Sequence, residues 1–140
     1  MSNHKNTNVV CDKNLMLRTL AMPSHSNVNG NIFGGWIMSQ MDLGGGILAK
    51  KISRGKISTV YIESINFIKP IYAGDLVSCY VNCVNIEKTS IKTYIEIWVK
   101  KLNTYSYGLT YCTNTAFFTY VAINDNGTSR LFLKNKNSLI

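Results

Sequence analysis

Residues 27–46 read NVNGNIFGGWIMSQMDLGGG, and this stretch decides the fold. It opens as a loop of Asn and Gly, a composition of tight turns, and becomes an apolar helical run after Gly34-Gly35. Inside that run stands one carboxylate, Asp42, among Met38, Met41 and Leu43. An ionised Asp is costly to bury unless something pairs with it or uses it. Gly44, Gly45 and Gly46 follow at once, each costing about 1 kcal/mol against Ala in a helix interior. Both penalties within five residues point to chemistry at the Asp and close backbone packing at the glycines.

Working outward, the helix is expected from Gly35 to about Ile52, with Lys50, Lys51 and Arg54 near its C-terminus and Gly55 stopping it. Trp36, Ile37, Met38, Met41, Leu43, Ile47, Leu48 and Ala49 cover most of its circumference, so other structure should wrap it. Upstream, Leu15 to Met22 is expected to form a first strand ended by Pro23, preceded by a mobile polar arm over 1–13. Downstream, four strand-like runs span 57–68, 76–86, 90–100 and 109–122. The cleanest alternation puts Ile91, Thr93, Ile95, Ile97 and Val99 on one face. Short turns between the runs imply an antiparallel meander with one buried face. The expectation is an α+β domain over 14–124, a curved antiparallel sheet around a central helix. A basic tail over 125–140 should make a turn and then run as loose chain.

The 140 residues suffice for one domain with a real core, and a hydrophobic share of 46% is ordinary for a globular protein. No apolar run approaches the roughly 18 to 20 residues that span a bilayer. The first residues lack the apolar middle of a secretory signal, so a cytoplasmic location is expected. Fifteen Lys and Arg against seven Asp and Glu give a net charge of +8, which suits an anionic partner without choosing one. Four scattered cysteines and two histidines offer poor supply for a zinc site, and the cysteines read as reduced.

Two places could carry chemistry. Free backbone N–H groups at Gly34-Gly35, with the positive end of the helix dipole, can hold an anion or a developing oxyanion. A tight loop-to-helix turn would need the same glycines. Asp42 could serve as a general base or a nucleophile toward an activated acyl group. It could equally be a surface Asp hydrogen-bonded to Ser39 or Gln40. Gly35 and Asp42 share a helix face but lie about 10 Å apart at 1.5 Å per residue. One copy of the helix cannot bring both to one carbonyl, whereas two antiparallel copies can. The glycines after Asp42 then read as room for the partner's backbone and the substrate.

The run LRTLAMPSHSNVNGNIFGGWIMSQMDLGGGILAK, with NFIKPIYAGD and IEIWVKK downstream, closely resembles the bacterial YciA-type acyl-CoA thioesterases of the hotdog-fold hydrolases. The resemblance covers roughly residues 15–131. It implies a hotdog fold, a homodimer usually assembled as a trimer of dimers, and hydrolysis of acyl-CoA to free acid and CoA without a further cofactor or metal. It also implies Asp42 as the catalytic carboxylate, Asn27 reaching across the dimer to the thioester or the water, and Gly35 with Gly34 as the oxyanion donors. His25 and Gly46 depart from the usual pattern, and His25 reads as a solvent-exposed loop imidazole. The phosphates of CoA want Lys or Arg at the site's mouth, for which Arg18, Lys69, Lys100, Lys101, Arg130 and Lys134 are candidates. The acyl chain is expected against Met38, Met41 and Ile65. A non-catalytic acyl-CoA or nucleic-acid binder is the alternative, although the aromatics form no recognisable RNA motif. A hotdog dehydratase would need a catalytic His, and this helix has none.

Overall fold

The computed structural model describes residues 14–132; the expected arm over 1–13 and Lys134 lie outside the described residues. Five strands and one long helix appear in the order β1 (Leu15–Leu20), a 3-10 turn (Pro23–His25), α1 (Gly34–Ser53), β2 (Ile57–Phe67), β3 (Leu76–Ile86), β4 (Ser90–Lys100) and β5 (Thr110–Ala122). All strand pairings are antiparallel, in the order β1-β3-β4-β5-β2. The α+β class follows the sequence expectation, but the simple meander does not. Only β3, β4 and β5 are consecutive neighbours; β2 crosses to the far edge and pairs with β5. The edge of β3 that a meander would offer to β2 is occupied by β1.

Alternation in β4 decides which face meets the helix. Ile91, Thr93, Ile95, Ile97 and Val99 are fully buried, while the intervening side chains stay partly exposed on the outer face. From α1, Ile37, Met41, Ala49 and Ile52 join that core. The helix ends with Arg54 in the left-handed conformation (φ 58°), its N–H donating to Lys50 O at 2.8 Å. Gly55 has another duty: a Cβ there would lie 2.5 Å from Nη2 of Arg130. That guanidinium donates to Ser53 O at 3.2 Å, Lys56 O at 3.1 Å and Ile123 O at 2.9 Å. A cation at the carbonyl end of a helix opposes the dipole favourably. Arg130 is therefore committed to the fold.

Over 123–132 the chain does not run loose as expected, and residues 133–140 of the expected tail lie outside the described residues. Ile123 bridges to Ser129, and Phe132 is buried with its N–H donating to Lys88 O at 2.6 Å. One large apolar side chain is enough to hold this segment down, since burying a Phe contributes about 2 kcal/mol.

Lys101 is similarly committed. Its ammonium lies 3.0 Å from both oxygens of buried Asp75, and over the Tyr72 ring at 4.9 Å. Asp75 also accepts the Tyr72 N–H at 2.9 Å, which pins the turn between β2 and β3. Burial works against the charge on Lys101, yet Asp75 and, after it, Tyr111 together outweigh it and the net shift of its pKa is upward. A group whose pKa is raised on folding stabilises fully below its unfolded pKa, about 10.4 for Lys, and loses that contribution as pH rises through the folded value. Asp75→Asn should lower stability by about 2 kcal/mol at pH 7, with the gap to the parent narrowing above pH ~10.4. Urea unfolding at pH 7 and pH 11 measures both.

Candidate active site

Asp42 sits halfway along α1 with its side chain turned to β2 and β5. Thr59 on β2 donates to Oδ1 at 2.7 Å, and the Tyr120 hydroxyl on β5 lies 3.1 Å from both Oδ1 and the backbone carbonyl of Asp42. The neighbours are thus neither Ser39 nor Gln40: Ser39 caps back onto Trp36 O at 2.6 Å. Both donors converge on Oδ1, which fixes the orientation of the carboxylate and leaves Oδ2 without a hydrogen-bond partner among the described residues. Asp42 itself is half-buried, open on one side.

Each partner owes its position to a local feature. The pairing of β2 with β5 shifts register between Thr59 and Tyr61, and a bulge of this kind re-aims a side chain. Tyr120 is fully buried and its ring runs along the Gly45 backbone, where a Cβ would overlap the phenol oxygen. Burial first, and then the Asp42 charge, push the Tyr120 pKa well above the ordinary phenol range. Tyr120 therefore stays a neutral donor at any working pH.

This geometry corrects the reading of the three glycines. Gly44 packs on Cys79 and Val81 of β3, and Gly45 on Tyr120 and Ile95; a Cβ at either would collide with its own sheet. Gly46 has only ordinary contacts, Ile57 at 3.7 Å and Tyr120 at 3.9 Å. The glycines bring the helix down onto the sheet, so that Tyr120 can reach Asp42, and do not make room for a partner.

At the start of α1 the first intrahelical bond is Ile37 N–H to Phe33 O at 3.2 Å. The N–H groups of Gly34, Gly35 and Trp36 have no acceptor among the described residues. A Cβ on Gly35 would meet nothing within 4 Å, so its backbone is open to a ligand. Gly34 is backed by Phe67, 3.3 Å from where its Cβ would be. Asn27 holds the preceding loop: its Oδ1 accepts from Asn29 N–H at 2.8 Å and Asn31 N–H at 3.2 Å. That leaves the Asn27 amide NH2 to donate elsewhere. A cavity of about 240 Å³ collects Asn27, Gly34, Ile37, Phe67 and Lys69. His25 is not a free loop imidazole. It stacks on Trp36 with ring centroids 4.7 Å apart, and its Nδ1 accepts the Met22 N–H at 3.2 Å.

The helix is also not wrapped all round. Gly35, Ser39, Leu43 and Ile47 form an exposed stripe, and Leu43 is 57% exposed. Beside it the edge strand β2 leaves Val60, Tyr61 and Phe67 each more than half exposed. Asp42 therefore lies in an apolar surface that the single chain leaves uncovered. Of the residues expected along an acyl chain, Met38 and Ile65 are partly buried near this surface, whereas Met41 is sealed in the core. Lys69 stands over the Tyr111 ring at 4.8 Å. Arg18 and Lys100 lie together on the outer face of the sheet, away from Asp42. Among the described residues, no group of three His, Cys, Asp or Glu could hold a metal ion. Among the described residues, no helix is long and apolar enough to cross a membrane.

A long helix cradled by a curved antiparallel sheet, with an open N-terminus and a buttressed mid-helix carboxylate, is an arrangement suited to acyl transfer. The model of the thioesterase superfamily matches residues 29–105, more than half of the chain. The acyl-CoA thioester hydrolase YciA of Escherichia coli is 48% identical over 124 residues, covering 89% of this chain and 94% of that protein. A crystal structure of a hexameric broad-specificity acyl-coenzyme A thioesterase, in a mutant form with one aspartate changed to alanine, aligns with TM-score 0.86 and 54% identity. That alignment covers 89% of this chain and 90% of that one. The hexameric thioesterase of Yersinia pestis aligns with TM-score 0.83 and 48% identity, over 86% and 97% of the two chains. The chain belongs to the thioesterase superfamily, among the acyl-CoA thioester hydrolases of YciA type with the hotdog fold.

Proposed function

We propose that the protein hydrolyses acyl-CoA thioesters to free carboxylic acid and CoA, with Asp42 as the catalytic carboxylate. The observation that carries this reading is the fixed orientation of Asp42: Thr59 and Tyr120 hold Oδ1, Oδ2 accepts no hydrogen bond among the described residues, and the residue is only half-buried. A thioester carbonyl placed beside Oδ2 could be attacked in two ways. Water adds to the carbonyl carbon while Oδ2 takes its proton, or Oδ2 itself adds and the resulting mixed anhydride is then hydrolysed. In both, the carbonyl oxygen becomes an oxyanion, the C–S bond breaks, and the CoA sulfur leaves with a proton. Tracing labelled water oxygen into the Asp42 carboxyl group separates the two routes. Neither calls for a metal or cofactor.

The oxyanion needs N–H donors within about 3 Å, and Gly34 and Gly35 of the same chain lie too far along the helix. A second copy, docked antiparallel on the exposed stripe and the β2 edge, brings its Gly35 to this chain's Asp42. Asn27 of that second copy would then present its free amide to the substrate. The apolar surface around Leu43, Tyr61 and Phe67 supports such a dimer, and related enzymes crystallise as hexamers. We infer a homodimer assembled into a homohexamer. Met38 and Ile65 would line the acyl chain, and Lys69, which lines the same cavity as Asn27, would meet a CoA phosphate. The described cysteines are free thiols, as a reducing compartment keeps them, which supports a cytoplasmic site of action.

Purified protein should release thiol from acyl-CoA in a coloured-thiol assay, with turnover varying along a series of acyl lengths. Binding of acyl-CoA or oligonucleotides without any thiol release would favour the non-catalytic alternative.

A further inference from the structure

The outer face of the sheet, turned away from α1, carries a cavity of about 230 Å³ where β1, β3 and β4 run side by side. Arg18, Ser78, Tyr80, Trp98, Lys100 and Thr110 line it. Arg18 lies across two hydroxyls, its Nε donating to Ser78 Oγ at 2.7 Å and its Nη2 to Tyr80 Oη at 3.3 Å. Ser78 and Tyr80 are more than nine-tenths buried. Because each accepts from Arg18, each keeps its own O–H proton to donate. The Thr110 hydroxyl donates to Gly108 O at 3.0 Å, and the Trp98 indole N–H to Glu96 at 3.0 Å. No carboxylate is among the lining residues, and none of the ion pairs among the described residues involves Arg18 or Lys100.

The cavity therefore offers two cations and two spare hydroxyl donors, and its side-chain acceptors are neutral hydroxyls with no carboxylate among them. Such a surplus is satisfied by an anion with several acceptor oxygens. Its volume lies below the roughly 300 Å³ at which pockets begin to hold a drug-sized ligand, so a phosphate or pyrophosphate group fits better than a whole nucleotide.

Distance separates this place from the chemistry of the same chain. Arg18 pairs with Ser78 and Ser78 with Trp98, whereas Tyr120, the partner of Asp42, pairs with Ile91. Trp98 and Ile91 are seven residues apart on β4, about 23 Å, and β1 is three strands from β5, about 14 Å. The cavity also faces the opposite side of the sheet.

We propose that this outer-face cavity is a phosphate-binding site, held by Arg18, Lys100, Ser78 and Tyr80, which does not serve the Asp42 of its own chain. The phosphate belongs either to an acyl-CoA whose thioester is bound on another subunit or to a free anion. The first source rests on the thioesterase reading given above; binding of phosphate as such does not.

The test is calorimetric titration of the full chain with inorganic pyrophosphate, for the parent, Arg18→Gln, Lys100→Gln and the double variant. Each single change should weaken binding about tenfold and the double change about a hundredfold. The Lys100 ammonium makes no hydrogen bond or ion pair among the described residues, so its variant guards against a folding artefact. Turnover of acyl-CoA and of the matching acyl-pantetheine is measured beside it. A higher KM for acyl-CoA alone assigns the phosphate to the substrate; unchanged KM for both, with pyrophosphate binding lost, assigns it to a free anion. Pyrophosphate that fails to bind the parent, or binds both single variants as tightly as the parent, overturns the proposal.

Discussion

Asp42→Asn is expected to lower kcat for acyl-CoA hydrolysis about a thousandfold, equivalent to about 4 kcal/mol of transition-state stabilisation, while KM changes little. The amide keeps the shape of the carboxylate and can still accept from Thr59 and Tyr120 through its oxygen. What it loses is the second basic oxygen, which neither Thr59 nor Tyr120 holds. Tyr120→Phe provides a graded comparison. It removes only the hydroxyl that orients Asp42, so kcat should fall about tenfold with KM again near the parent value. A steady-state series at fixed pH, with thiol release as the signal, reads both. Turnover of Asp42→Asn within threefold of the parent would remove this carboxylate from the mechanism.

Substitutions at the three consecutive glycines should act in opposite directions. Gly45→Leu is expected to cost about 3 kcal/mol or more and to leave little folded protein. Its Cβ alone would collide with the Tyr120 hydroxyl and come within 2.9 Å of Ile95 Cδ1. The rest of the side chain would have to enter a core whose residues are fully buried. Gly46→Ala meets nothing closer than 3.7 Å and gains helix propensity, so it should stabilise by about 0.5–1 kcal/mol. Thermal unfolding of the two variants beside the parent measures the contrast. A stable, fully folded Gly45→Leu protein would mean that the helix does not lie on the sheet as described.

Most of the fold was legible because burial imposes a period on the sequence. The inward residues of β4 alternate without exception, and α1 carries its apolar side chains from Trp36 to Ile52. The crossing of β2 to the far edge was not legible, since strand order depends on which edges remain free once β1 has paired. Asp42 stood out as a carboxylate in an apolar run, and the open helix start was marked by its glycines. Thr59 and Tyr120 were missed for a plain reason: they lie 17 and 78 residues from Asp42, and each reads locally as an ordinary strand residue. The tight helix–sheet approach at Gly44 and Gly45 was visible as a cost, but which surface came close was not. Arg18, Lys69, Lys100, Lys101 and Arg130 looked alike as cations. Only the fold separates Lys101 and Arg130, held by Asp75 and by backbone carbonyls, from the others.

The central claim is that each catalytic site is divided between two copies of the chain, Asp42 from one and the Gly35 N–H from the other. Gly35→Pro deletes that N–H at a position in the first helical turn, where proline is tolerated. Gly35→Pro and Asp42→Asn should each be nearly inactive alone. When the two variants are co-expressed and mix at random, about a quarter of the sites should combine an intact Gly35 with an intact Asp42. The measurement is acyl-CoA turnover of the purified mixed oligomer. Recovery of about a quarter of the parent kcat is the predicted result, and a mixture no more active than the two separate variants would contradict the shared site.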